Sequence, residues 1–256
     1  SGLSANSVVA SSLVGSFSGS DSKDIRTSSL IGAFSGNNAN GVADSSSIGT
    51  NSGWFAENVK SSTLLGHFSG EEAQNVLESS LIGFESGYFA KNIESSTLLG
   101  SFVAQNASNV QQGNIIGFAA ALFANDVVDS SLIGTRAGQQ ANNVVDSSLV
   151  GTRAGQLSSN VVDSSLVGTR SGAWSEGNNN SFVGTASGLA VQGNDNLALG
   201  TAANGMLYWD KQTNAYHTRD GSTFTGIAPT ALLVNNTVAL GTLSLSNVDN
   251  GVALGS

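Results

Sequence analysis

A glycine recurs through this chain at a fixed interval, and that period restricts the fold more than any other feature. Aligned on the glycine that closes Ser-Ser-Leu-Val-Gly, it falls at Gly15, Gly32, Gly49, Gly66, Gly83, Gly100, Gly117, Gly134, Gly151 and Gly168, nine successive steps of 17. The step tightens to 16 at Gly184 and Gly200, stretches to 41 at Gly241 and ends with 14 at Gly255. Asn143 to Ser159 is one complete copy. A short fixed period is the signature of a solenoid, whose coils bury their apolar sides only by stacking on one another.

The residues on this grid call for strands. The position before each marker glycine is aliphatic, as in Val14, Ile31, Ile133 and Val150, and so is the position seven before it, as in Ile25, Val42, Val59 and Val161. These mostly β-branched residues lie in short runs between Gly, Asn and Ser, which favours strands and turns over helix. A second glycine four residues after the marker fits a turn that needs positive φ. Small residues recur at Ser18, Ser35, Ser52, Ser69 and Ser86, so the coil is thin. An Asn column (Asn58, Asn75, Asn92, Asn109, Asn143, Asn160) is placed to hydrogen-bond along the axis as an amide ladder.

The fold expected is therefore all-β, a parallel β-solenoid over residues 1–203, resumed over 231–256. Between them, residues 204–230 break the rhythm, and Gly205 to Phe224 reads as a small β-hairpin or meander. Alternation along a strand puts neighbours on opposite faces. If Val150 faces the inside of its coil, then Leu149 faces out. The outward stripe would be Leu13, Leu30, Leu64, Leu81, Leu98, Ile115, Leu132, Leu149, Leu166 and Phe182. Such a stripe marks an interface, and a homo-oligomer closed around it is expected.

Composition excludes several functions. The net charge is −9 with nine Lys and Arg in 256 residues, too few cations for a nucleic-acid partner. No run of about 18 apolar residues exists, so no membrane insertion is expected. Cysteine is absent, so no disulfide framework is offered. The opening Ser1-Gly2-Leu3-Ser4 is neither an initiator methionine nor a signal peptide, and the chain reads as a fragment or processed piece.

Asn196-Leu197-Ala198-Leu199-Gly200, Thr237-Val238-Ala239-Leu240-Gly241 and Gly251-Val252-Ala253-Leu254-Gly255 resemble the Ser-Val-Ala-Ile-Gly repeat in the head domain of trimeric autotransporter adhesins. The 17-residue coil, as in Asn143 to Gly155, is more similar to repeats of phage tail fibres. This resemblance covers about nine-tenths of the chain, all but the insertion. It implies a left-handed parallel β-roll, a homotrimer, and a place on a virion surface or, alternatively, on a bacterial cell surface. It implies a structural fibre that recognises a host through a cell-surface glycan or protein receptor and attaches to other fibre, baseplate or capsid proteins. It carries no catalytic residues and no cofactor. In two respects the chain departs from the adhesin pattern: the 17-residue coils have Leu where the adhesin motif has Ala, and no membrane-anchor barrel follows.

Three groups of residues are candidates for binding. Aromatics recur at a doubled period of 34, in Trp54-Phe55 and Tyr88-Phe89, and again in Phe34, Phe68 and Phe102. They would form platforms for sugar rings or fill grooves between the chains of a trimer. Arg136, Arg153 and Arg170, stacked with Asp129, Asp146 and Asp163, form charge ladders that either pair or bind an acidic glycan. The insertion, with Tyr208, Trp209, Tyr216, His217 and Arg219, either recognises a receptor or packs as a collar, and Trp174 is a further binding candidate. His67 and His217 lack nucleophile partners, and no metal spacing or phosphate loop appears. The expectation is a protein that is not an enzyme. Glu71-Glu72 leave a glycan-degrading tailspike as the remaining alternative.

Overall fold

The structure is a computed structural model that describes residues 4–255 except 56, 72–74, 76, 89–90, 93, 104–107, 110, 113, 122–127, 130, 139, 141–144, 211, 220–221, 226–228 and 230. The described residues form a parallel β-solenoid with coils of about 17 residues and no helix. They divide into two compact units, residues 1–129 and 130–256.

In the first unit, three-residue strands stack in register, one per coil. They are β1 (Ser12–Val14), β2 (Ser29–Ile31), β3 (Ser46–Ile48), β4 (Thr63–Leu65), β5 (Ser80–Ile82), β6 (Thr97–Leu99) and β7 (Asn114–Ile116). Pairing is like with like: Leu64 opposite Leu81, Leu81 opposite Leu98. In the second unit β8 (Ser131–Ile133), β9 (Ser148–Val150), β11 (Ser165–Val167), β13 (Ser181–Val183), β15 (Leu197–Leu199), β19 (Val238–Leu240) and β20 (Val252–Leu254) continue the pattern. A second parallel sheet there joins β10 (Ser159–Val162), β12 (Glu176–Asn178), β14 (Val191–Gln192) and β18 (Leu232–Leu233). Between β15 and β18, β16 (Leu207–Asp210) and β17 (Ala215–Thr218) pair antiparallel.

The marker glycine is fixed by two independent constraints. Its φ is +135° at Gly83 and +134° at Gly184, in a region closed to side-chain-bearing residues. A Cβ on Gly83 would also lie 2.0 Å from the carbonyl oxygen of Gly100 in the next coil. The glycine four residues on has a different partner. A Cβ on Gly155 would stand 2.2 Å from a Leu149 methyl, and one on Gly172 2.7 Å from both Leu166 methyls.

Those contacts reveal which side of the strand is the inside, and it is the opposite of the expected one. Leu30, Leu64, Leu81, Leu98, Ile115, Leu132, Leu149, Leu166 and Phe182 are at most 1% exposed within their own coils, and Leu13 is half-buried. They are the core, not an outward stripe. The aliphatic residues before the marker glycine face out instead. The physical reason is coil thickness: the small corner residues and the second glycine leave a cavity that a γ-branched leucine fills from within. A β-branched Ile or Val suits the outer, pleated surface. The inner stack continues at Ile25, Val42, Val59 and Val161, each at most 3% exposed.

Serine holds the corners together from inside. Ser18, Ser52 and Ser69 donate from Oγ to the carbonyls of Leu30, Leu64 and Leu81 one coil on, at 2.6 to 2.9 Å. A second column accepts backbone N–H groups: Ser62 N–H bonds Ser45 Oγ and Ser79 N–H bonds Ser62 Oγ, each at 3.2 Å. Asn180 and Asn196 take over this column in the second unit. Buried corner amides and carbonyls that no strand can pair are thereby satisfied.

Several corners of each coil are left-handed, at Asp44, Asn51, Phe55, Asn58 and Ser61 for example. Asn and Asp tolerate this conformation best among residues with side chains. That explains the Asn column. Among the described residues an amide-to-amide bond runs along it from Asn58 Nδ2 to Asn75 Oδ1 at 3.1 Å, and Asn143 lies outside the described residues.

Candidate interaction surfaces

The outward aliphatic row is the first surface. In the first unit Ile31, Ile48, Leu65 and Leu99 are 36–43% exposed, and in the second Ile133, Val167, Val183 and Leu199 are 36–41% exposed. Ser or Thr two residues earlier, as at Ser29, Thr63 and Ser165, shares that outer face. From β15 onward the earlier position also turns aliphatic, at Leu197, Val238 and Val252. Such continuous apolar rows on a parallel sheet are what the alternation predicts once its phase is corrected.

The second surface is an aromatic corner confined to the first unit. Phe17 and Phe34 stack at 5.1 Å with 4° between their planes, Phe34 lies 6.3 Å from Trp54, and Trp54 stacks on Phe55 at 4.9 Å. Trp54 Nε1 donates to Asn37 Oδ1 at 3.1 Å. Further along, Phe68, Phe84, Phe102 and Phe118 meet edge to face at 5.3 to 6.4 Å, with Tyr88 edge-on to Phe68 at 6.1 Å. Phe89 lies outside the described residues. In the Phe17–Phe55 run, stacking covers one face each of Trp54 and Phe55, and Phe55 stays 46% exposed. Phe17, Phe34, Phe68 and Phe102 also sit at a left-handed position, φ +55° to +58°. That conformation costs a bulky residue about 1–2 kcal/mol, which ring stacking offsets.

The third surface is the corner around β16 and β17. The structure places these strands against the coils. Leu207 is buried with Ala173, Ala186, Leu189 and Ala190, while Trp174, Met206, Tyr216 and Phe224 pack around them. Trp174 meets the Tyr216 ring edge-on at 5.5 Å, and the Arg170 guanidinium lies 5.2 Å from the same ring. Arg219 donates from Nε to Gly205 O at 2.8 Å, from Nη2 to Ala202 O at 3.0 Å, and from Nη1 to Leu243 O. It thus ties two successive levels of the main sheet across the 41-residue step. Tyr208 stacks on His217, whose Nε2 is 2.8 Å from Thr213 Oγ1. The Trp209 side chain lies outside the described residues.

Burial sets the titration of this corner. Desolvation raises the Tyr216 phenol above its ordinary value and lowers Arg170 and Arg219 below theirs. Arg170 and Tyr216 act on each other in the opposite sense, each favouring the charged form of its partner. Arg136, Arg153 and Arg170 follow the marker glycine, whereas Asp129, Asp146 and Asp163 precede the strand, so strand β8, β9 or β11 separates each such pair. Arg170 finds its aromatic partner in Tyr216.

His67 lies in the aromatic corner, stacked on Phe84 at 5.4 Å, and His217 lies on β17. Among the described residues no group of three or more His, Cys, Asp or Glu could hold a metal ion. No described helix is long and apolar enough to cross a membrane. Compared with known proteins, the chain matches no family model and no curated protein.

Proposed function

We propose that this chain is a structural, host-recognition segment of a trimeric fibre of a phage or phage-like particle, which mediates attachment to a glycan or protein receptor on a cell surface. One observation supports this above all: the outward aliphatic row, partly or largely exposed at Ile31, Ile82, Ile133, Val150, Val183 and their equivalents, on one face of a parallel sheet. Burying one such side chain is worth roughly 1.5–3 kcal/mol, and association costs roughly 4–15 kcal/mol, so a handful of coils suffices. The head of a bacterial trimeric adhesin is the second reading. It is favoured by β15, β19 and β20, where Ala198, Ala239 and Ala253 face inward between two outward aliphatic residues.

The test is the solution mass of the chain and of a variant carrying Ile133→Ser, Val150→Ser and Val167→Ser. The chain is expected at about three times 25.8 kDa, and the variant as a folded species of lower mass. Leu149→Ala serves as the control for the inner face. It should cost about 2–5 kcal/mol of stability without selectively dissociating the assembly. A monomeric parent chain rejects the trimer and, with it, the fibre.

A further inference from the structure

The second sheet of unit two carries a groove apart from the three surfaces. Across β10, β12, β14 and β18 the inner stack should continue upward from Val161, which is 2% exposed. Instead the next two levels are Gly177 and Gly193, with φ +126° and +138°, before Val234 closes the stack at 1% exposed. A Cβ on Gly177 would lie 2.1 Å from Gly193 O, and one on Gly193 would lie 1.8 Å from Val234 O. Two levels of bare backbone thus form the floor of a concavity. One wall is Glu176, Gln192 and Leu233, in register on successive strands, and the other is Asn194, Asn235 and Asp249.

The second wall is pre-organised. Asn178 N–H donates to Asn194 Oδ1 at 2.8 Å, Asn194 N–H to Asn235 Oδ1 at 2.9 Å, and Asn235 N–H to Asp249 Oδ1 at 2.8 Å. Each side chain is anchored through one oxygen. The other atom, Nδ2 of Asn194, Nδ2 of Asn235 and Oδ2 of Asp249, makes no hydrogen bond among the described residues. This yields two donors and an acceptor repeated at the sheet spacing of about 4.8 Å. Opposite them Gln192 offers both an amide donor and an acceptor. Glu176 Oε1 accepts from Asn160 Nδ2 at 3.0 Å, leaving its second oxygen for a ligand. Leu233, 72% exposed, adds an apolar contact at the rim.

We propose that this groove binds a neutral oligosaccharide chain. Fixed amides and carboxylates beside a small apolar patch complement hydroxyl groups, each of which both donates and accepts. Two carboxylates and no cation among the lining residues reject an anionic ligand. A hard cation is disfavoured, because the lining holds only two carboxylates, on opposite walls, and no group of three or more His, Cys, Asp or Glu that could hold a metal ion occurs among the described residues. Immobilising these side chains in advance removes part of the ordering cost of binding. The inference rests on the attachment reading for its biological sense and supplies the ligand class. It does not depend on trimerisation, because the groove lies within one chain.

The full chain would be titrated by calorimetry and NMR with five neutral tetrasaccharides (cello-, xylo-, manno-, galacto- and N-acetylchito-) and with oligogalacturonate as the anionic control. At least one neutral tetrasaccharide is expected to bind with a Kd on the order of 1 mM, as suits a shallow site. Combining Gln192→Ala with Asp249→Asn should weaken it at least about tenfold, the value of one good hydrogen bond. Asp249→Asn keeps the Oδ1 acceptor for Asn235 N–H, so circular dichroism should stay unchanged. Absence of binding by every neutral tetrasaccharide overturns the groove, as does preferential binding of oligogalacturonate. Binding that the double variant leaves unaltered overturns it too, while leaving the attachment reading standing. The mass measurement above decides the fibre reading separately.

Discussion

The two units use the same coil for different ends. In the first, the inner position is Leu in nearly every coil and the corner after the marker glycine is aromatic or otherwise varied. In the second, that corner becomes Thr-Arg at Thr135-Arg136, Thr152-Arg153 and Thr169-Arg170, and the inner position changes to Phe182, Ala198 and Ala239. The variation follows a rule. Where Leu fills the coil, the residue six positions later is Gly in every coil but that of Leu98, which has Ala104; in Leu64 and Gly70 or Leu166 and Gly172, a Cβ there would meet the leucine methyls. Where Ala198 leaves room, Asn204 takes the glycine's place and fills the space with a buried network. Its Nδ2 donates to Thr237 Oγ1 at 2.9 Å and its Oδ1 accepts from Ser246 N–H at 3.0 Å. Backbone geometry is therefore constant while core chemistry is exchanged in matched pairs.

The largest expected effect tests the constant part. Gly83→Ala and Gly184→Ala should each destabilise their unit by at least about 3 kcal/mol, since both combine a forbidden φ with a backbone collision. Thermal unfolding followed by circular dichroism would read both. Equal losses mean that 16-residue and 17-residue coils close by one mechanism. Tolerance of Gly184→Ala alone would show that the shorter coils relax where the longer ones cannot.

The period made the coil boundaries and strand positions legible from the sequence. The phase of the strands was harder to read. Leu149 and Val150 are equally apolar, so alternation alone cannot say which is inside. A signal was present in the companions: Ser148 shares a face with Val150, while the leucine position is polar only once, at Ser47. In the sequence the buried serines show only as small residues and not as hydrogen-bond donors, because satisfaction of corner carbonyls is a property of the stacked coil and not of one repeat. The groove also had a trace in the sequence. Gly177 and Gly193 interrupt a column of β-branched residues seven before the marker, but side chains that become a wall only by stacking leave no local motif.

Ser47 offers the next test, because it breaks the matched-pair rule from the leucine side. A small apolar cavity lined by Leu30, Val42, Val59 and Leu64 surrounds it. Ser47→Leu should fill this space and stabilise the first unit by about 0.5–2 kcal/mol. Ser47 Oγ donates to Ser52 O at 2.6 Å, but that carbonyl keeps the Gly36 N–H bond at 2.8 Å. The reciprocal change in the second unit, Ala198→Leu, should instead cost about 1–3 kcal/mol by overpacking against Asn204. Unfolding midpoints of the two variants should move in opposite directions. Movement in the same direction would dissolve the pairing of core residue and corner residue.

The smallest effect distinguishes the units by pH. Tyr216 packs against Trp174 and Arg170 in the second unit, and desolvation raises its phenol above the ordinary value near 10. A raised folded-state value means that stability is complete below about pH 10 and declines as pH climbs through the folded value, since the unfolded chain then releases its proton first. Arg170 moderates the decline by favouring the phenolate, and its own lowered value matters only at still higher pH. Unfolding midpoints between pH 8 and pH 11 should therefore fall for the second unit, and Tyr216→Phe should flatten that fall while leaving the midpoint at pH 8 little changed. A fall of equal size in the Tyr216→Phe variant would assign the alkaline sensitivity elsewhere, and would mean that the β16–β17 corner is held by Arg219 and apolar packing alone.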